Sequence, residues 1–116
     1  MTPAIQLVKK NKIPFVLHEY DHDPSVRGYG EEAARKLKVA PGQLFKTLVV
    51  SMGSKGLAVG MVPVSGQLDF KAIANALGAK KVTLADKHQA ERSTGYITGG
   101  ISPLGQKKQL PTIIDG

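Results

Sequence analysis

Apolar residues change their spacing along this chain, and each change marks an element. After Thr2-Pro3, the residues Ala4, Ile5, Leu7 and Val8 form a helical stripe that runs to Asn11. Thr2 suits the N-cap and Pro3 the first helical position, where the missing N–H of proline costs nothing. Phe15 to Tyr20 predicts a strand. Asp21 to Gly30 is polar and punctuated by Pro24, Gly28 and Gly30, which predicts a loop. Glu31 to Lys38 predicts a short helix with acids first and bases later, in keeping with the helix dipole. Pro41-Gly42 marks a turn. Leu44 to Ser51 carries the clearest strand pattern, Gly53-Ser54-Lys55-Gly56 a hairpin connection, and Leu57 to Val64 the returning partner. Asp69 caps a helix through Leu77 that Gly78 ends, Lys81 to Leu84 is a short strand, and Asp86 caps a helix running toward Arg92. Leu110 to Ile114 is a last strand. Interleaved helices and strands with one hairpin predict a single α+β domain over residues 1–116, built on a mixed, strongly curved sheet.

Composition narrows the function. At 116 residues the chain can bury one core, and with no cysteine it has no disulfide framework, thiolate nucleophile or thiolate metal site. No apolar run approaches a membrane span, and the N-terminus opens into a helix pattern without the apolar core of a signal peptide. A cytoplasmic address without a membrane partner is expected. The net charge of +7 favours a polyanionic partner, of which nucleic acid is the commonest, and the lysines pair at Lys9-Lys10, Lys80-Lys81 and Lys107-Lys108. Three Tyr, three Phe and no Trp argue against stacking along a single strand, but one unpaired 3′ end needs few stacked bases.

The densest local signal lies between Ser93 and Lys108. Gly95, Gly99, Gly100, Gly105 and Pro103 fall within eleven residues, and Lys107-Lys108 follows at once. Glycine permits positive φ and close backbone approach, so such a loop can present N–H groups to a carbonyl or an anion; a plain surface turn is the alternative. Ser93, Thr94, Thr98 and Ser102 fit turn hydroxyls better than nucleophiles. Lys46 interrupts an apolar strand on the face of Leu48 and Val50, where it either meets an anionic or hydrogen-bonding partner or guards a sheet edge. Tyr20 at a strand end either walls a pocket or packs with its hydroxyl at the surface. His18 and His22 are four apart, but no third ligand accompanies them, and neither metal nor cofactor is expected. With no evident nucleophile, an enzyme built from this chain would work by positioning and backbone electrostatics, with water or a substrate group attacking.

These residues, taken in order, resemble the YbaK/EbsC family of aminoacyl-tRNA deacylases. The match runs through Met1-Thr2-Pro3-Ala4, His18 to Pro24, Phe45-Lys46-Thr47-Leu48, Gly66-Gln67-Leu68-Asp69, Leu77-Gly78-Ala79-Lys80-Lys81, Ser93-Thr94-Gly95-Tyr96 and Gly99 to Lys108. The resemblance implies a barrel-like mixed sheet flanked by helices, and hydrolysis of the ester joining a wrong amino acid to tRNA. It implies that Lys46 helps to hold the 3′-terminal adenosine, that Gly99, Gly100, Ile101, Ser102 and Pro103 lie against the aminoacyl ester, and that Tyr20 and Thr47 line the pocket. Lys107 and Lys108 are expected to contact RNA. The implied substrate is Cys-tRNA(Pro), with the substrate thiol assisting cleavage, and prolyl-tRNA synthetase is the implied partner. Other family outcomes are removal of another amino acid, as from Ala-tRNA(Pro), or a catalytically silent module that binds the tRNA 3′ end. A small-ligand binder outside the family fits the charge less well. Family members continue past the position of Gly116 through further strands and a closing helix that carry some pocket residues, so a C-terminally incomplete fold is expected.

Overall fold

A computed structural model describes residues 2–21, 23, 25, 29–97 and 100–114 of the chain. Helix α1 spans Pro3–Lys10, and the Thr2 hydroxyl caps it by accepting from the Ile5 N–H at 3.3 Å. Helix α2 spans Tyr29–Leu37, so Tyr29 and Gly30 belong to it and not to the predicted loop. Pro24 and Gly28, which also mark that loop, lie outside the described residues. Pro41–Gln43 forms one 3-10 turn that leads into β1, Phe45–Ser51. Strand β1 pairs antiparallel with β2, Leu57–Pro63, from Phe45↔Pro63 to Ser51↔Leu57. A 3-10 turn at Gly53–Lys55 joins them, closed by the Met52 N–H donating to the Gly56 carbonyl at 2.7 Å.

Helix α3, Phe70–Leu77, starts where the Asp69 carboxylate accepts from the Ala72 N–H, and it ends at Gly78 with φ 69°. Short strand β3, Thr83–Leu84, pairs antiparallel with β1 at Ser51 and Val50. Helix α4, Lys87–Thr94, is capped by the Asp86 carboxylate, which accepts from the N–H groups of both His88 and Gln89; the helix closes at Gly95 with φ 79°. Strand β4, Thr112–Ile114, pairs in parallel with β2 at Val59–Met61. The sheet order β3-β1-β2-β4 is mixed, as predicted. Among the described residues the longest helix has nine residues, and none is long and apolar enough to cross a membrane.

Cross-strand register places the core. Val50 and Ala58 are direct partners on one face and pack with Ile73 and Ala74 of α3 and with Val82. Gly60 lets that helix come close: a Cβ there would stand 2.9 Å from the terminal carbons of both Ile73 and Leu68.

The predicted strand over Phe15 to Tyr20 does not form. The segment is extended but joins no ladder, and Val16 and Leu17 are 76% and 54% exposed. β-Branched and aromatic residues favour an extended backbone, yet a strand needs a partner for its N–H and C=O groups. The end strands of the described sheet, β3 and β4, do not supply one.

The stretch after α4 docks against the start of α1 through Gly105, whose φ is 67°. A Cβ there would lie 2.6 Å from the carbonyl oxygen of Pro3 and 2.8 Å from its carbonyl carbon, backbone atoms that have little freedom to move away. Gly105→Ala therefore combines left-handed backbone strain with overpacking, and the expected loss in chemical denaturation is about 2–4 kcal/mol. Gly53→Ala isolates the first effect, because Gly53 also has φ 67° but nothing lies within 4 Å of its added methyl; about 1 kcal/mol is expected there. Equal losses would show that the Pro3 contact does not restrain the loop.

Candidate functional site

A cavity of about 510 Å³ opens beside the first half of β1. Its size falls within the roughly 300–1,000 Å³ of small-molecule sites. Strand β1 and its lead-in supply Leu44 to Val49; α2 supplies Tyr29, Gly30, Glu31 and Ala33; the segment from β3 into α4 supplies Leu84, Ala85, Lys87 and Ala90. Tyr20 and Ile101 complete the wall. Aliphatic and aromatic side chains make up most of the lining, and the charged groups are Lys46, Glu31 and Lys87, one each from β1, α2 and α4.

Four residues singled out in the sequence meet here: Tyr20, Lys46, Thr47 and Ile101. Lys46 is half-buried and sits opposite Val62 in the ladder, and its ammonium makes no salt bridge or hydrogen bond to any described residue. Lys46 pairs with β2 on one side, and β3 meets the other side of β1 at Val50 and Ser51 alone, so strand position does not separate the edge-guard role from the ligand-binding one. Gly99 lies outside the described residues, as do Thr98 and His22. Gly100 does not line the cavity; its N–H donates to the Ile97 carbonyl at 3.0 Å, and its φ lies outside the left-handed range. The expected presentation of a bare amide is therefore not met at Gly100. Ser102 and Pro103 are also off the wall. The Ser102 hydroxyl accepts from the Leu104 N–H at 3.1 Å, so it builds a turn. Lys107 and Lys108 are exposed, outside the cavity.

The described residues of the glycine-rich segment are tied to α4 and to one another. At its base the Lys107 and Lys108 N–H groups donate to the carbonyls of Thr94 and Ser93, each at 2.9 Å. Higher up, the buried Tyr96 donates its hydroxyl to the Leu104 carbonyl at 2.7 Å, and its N–H donates to the Thr94 hydroxyl. These bonds tie the two limbs together and leave Ile101 facing the cavity.

Sequence reasoning missed Tyr29, Glu31 and Lys87 on the wall and Glu32 behind it. Glu32 is fully buried on α2; its carboxylate accepts from the Asp23 N–H at 2.9 Å and lies 3.8 Å from the Lys36 ammonium, one turn along. Lys36 in turn donates to the Asp21 carbonyl. This pair pins the chain that follows Tyr20 against α2. The pattern Glu32, Lys36 at i, i+4 was visible, but the burial that gives it weight was not.

Comparison with known proteins gives a consistent picture. Residues 23–116 match the model of the family described as aminoacyl-tRNA editing domain. A protein of Enterococcus faecalis named "Putative Cys-tRNA(Pro)/Cys-tRNA(Cys) deacylase EbsC" is 38% identical over 117 residues, which span 97% of this chain and 68% of that protein. A solved structure, "Crystal structure of a putative trans-editing enzyme for prolyl tRNA synthetase", is 29% identical with a TM-score of 0.68 over 74% of this chain and 54% of that one. The structure of hypothetical protein APE2540 has a TM-score of 0.82 at 22% identity, covering 98% of this chain and 73% of that one, a likeness of fold alone.

Glu32→Ala removes the anchor of the Asp21–Asp23 segment. A buried hydrogen bond to a charged group is worth roughly 1.5–3 kcal/mol, and a loss of that size is expected in chemical denaturation. Amide exchange at Asp23 should quicken far more than exchange in β1. Unchanged protection at Asp23 would show that the segment is held by something other than the Glu32 carboxylate.

Proposed function

The chain belongs to the aminoacyl-tRNA editing domain family, and from that premise we propose that it hydrolyses the ester of mischarged tRNA, with Cys-tRNA(Pro) as its substrate. The observation that carries the reading is Lys46, a half-buried cation without a described partner on the wall of an otherwise largely apolar cavity. Such a group favours an anionic or carbonyl-like ligand, because no described residue compensates its partial loss of water. The 3′ end of an aminoacyl-tRNA offers phosphate, ribose hydroxyl and ester carbonyl together.

The described lining includes no serine, cysteine or histidine. The protein's share of the work is then to hold the terminal nucleotide, orient the ester and favour the charge that develops on its carbonyl oxygen. In hydrolysis a water oxygen bonds to the carbonyl carbon, the bond from that carbon to the ribose oxygen breaks, and the ribose oxygen takes up a proton. Lys46 holds the adenosine end beside this centre, and a cysteine thiol on the substrate assists the same cleavage. Tyr20, Thr47 and Ile101 border the space for the amino-acid side chain. Cysteine and proline are similar in size, and discrimination by an apolar pocket between such neighbours is weak, so a second hydrolytic step on the product has a purpose. Prolyl-tRNA synthetase, in the cytoplasm, is the source of that product in this reading.

Lys46→Ala is expected to lower kcat/KM for Cys-tRNA(Pro) by roughly a hundredfold, the scale of losing one stabilising donor, with the thermal melt unchanged. Lys46→Arg should restore little, since a planar fork does not replace a compact ammonium. In a panel of Cys-tRNA(Pro), Ala-tRNA(Pro), Cys-tRNA(Cys) and Pro-tRNA(Pro), the first should be cleaved fastest and the last spared. Faster loss of alanine would reassign the substrate, and wild-type rates in folded Lys46→Ala would remove Lys46 from the site.

A further inference from the structure

Lys87 stands where helix electrostatics disfavour it. It is the first residue of α4, directly after the Asp86 cap, and the first turn of a helix carries partial positive charge that favours acids over bases. The Asp86 carboxylate does not neutralise this lysine; it accepts from the N–H groups of His88 and Gln89 at 3.1 and 3.2 Å. Lys87 is exposed, and it stands at the solvent end of the helix face that is buried further along. Lys87, Ala90, Glu91 and Thr94 recur at i, i+3, i+4 and i+7, and Ala90 and Thr94 are buried. Helical side chains tilt toward the N-terminus, so at this position the tilt carries Lys87 past the end of the helix, where it lines the cavity that Lys46 also lines. Neither ammonium makes a salt bridge or hydrogen bond to a described residue, and Glu31 is the sole carboxylate among the described lining.

A basic path leads away from this point. Arg92 is exposed in the last turn of α4, and the backbones of Lys107 and Lys108 are bonded to Thr94 and Ser93 at the same end. Seven rises of about 1.5 Å put roughly 10 Å between Lys87 and that end of the helix.

We propose that Lys87 contacts the last phosphodiester of a bound RNA, the linkage just 5′ of the terminal nucleotide, and that Arg92, Lys107 and Lys108 continue the phosphate path along α4. The inference rests on the reading that the cavity takes the 3′-terminal nucleotide of tRNA. A phosphodiester carries a single charge shared by two equivalent oxygens, which a lysine ammonium meets as a point charge and an arginine fork can meet equally well. Lys46 then serves the terminal nucleoside and Lys87 the linkage behind it, so the two cations divide the ligand between them.

The test uses an uncharged acceptor-stem hairpin ending in CCA, and a second hairpin whose last internucleotide linkage is a neutral methylphosphonate. Affinities are measured between about 50 and 200 mM salt for wild type, Lys87→Gln, Lys87→Arg, Lys107→Gln/Lys108→Gln, and a control, Lys71→Gln on α3 away from the cavity. Lys87→Gln should weaken binding of the native hairpin roughly three- to tenfold, as for a part-exposed charge contact. It should also lower the slope of log affinity against log salt by about 0.7, the effect of one single-strand phosphate. The methylphosphonate should weaken wild type by the same factor and Lys87→Gln not at all. Lys87→Arg should keep most of the affinity, and Lys71→Gln all of it. The Lys107/Lys108 double variant should lower the slope by about 1.4 while retaining the methylphosphonate penalty. A penalty equal in wild type and Lys87→Gln, or a folded Lys87→Gln with wild-type affinity and slope, overturns the assignment and leaves the 3′-end reading standing. A wild-type protein that does not bind the native hairpin overturns both.

Discussion

The register of β1 on β2 is the constraint on which the other parts depend. A slip of one residue would exchange the two faces of β1 at every position. In the observed register Leu48 lies opposite Gly60, the point where Ile73 of α3 and Leu68 come closest to the strand backbone. Val50 lies opposite Ala58, and both pack into the cluster with Ile73, Ala74 and Val82. The remaining strands are placed by the same ladder: β3 on the outer side of β1 at Val50 and Ser51, β4 on the outer side of β2 at Val59 to Met61. Lys46, one pair from the end of the ladder, keeps its place on the cavity wall only while this register holds.

The glycines of the segment after α4 serve the loop's own folding more than ligand contact. Gly95 ends α4 in the left-handed region, and Gly105 allows close approach to the backbone of Pro3. Gly100 sits in an ordinary turn with its N–H taken by Ile97. What brings the loop to the cavity is a set of bonds across it, from Tyr96 to Leu104 and from the Lys107 and Lys108 amides to the end of α4. A wall tied in this way has less ordering entropy to lose when a ligand meets Ile101, a form of preorganisation.

What could be read from the sequence was local. Thr2, Asp69 and Asp86 cap helices where their short polar side chains precede apolar stripes, and Gly78 and Gly95 end them; each signal is complete within one turn of chain. The hairpin was legible for the same reason. Phe15 to Tyr20 was misread because its composition reports an extended backbone but says nothing of a partner strand. Within the site, Lys46 announced itself by breaking an apolar run. Lys87 and Glu31 did not, since a charged residue near a helix start looks like surface until a cavity is found beside it. Glu32 shows the same limit: only the packing of α2 turns an ordinary helical acid into a buried anchor.

The charged groups of the cavity come one from each of three elements, so the spacing among them is set by packing and not by sequence separation. Glu31 moves with α2, Lys46 with β1 and Lys87 with α4. In the proposed reading, a site that works by positioning and electrostatics depends on that spacing, because small displacements are costly to both. The structure answers this need behind the wall. Glu32 and Lys36 bind the segment after Tyr20 to α2, and the Thr94 hydroxyl joins the Ala90 carbonyl to the Tyr96 amide at the far end of α4. Each anchor uses a buried or half-buried polar group whose loss of water is offset by hydrogen bonds. Lys46 and Lys87 line the cavity with no described partner for their ammonium groups, and there a ligand can supply what the fold does not.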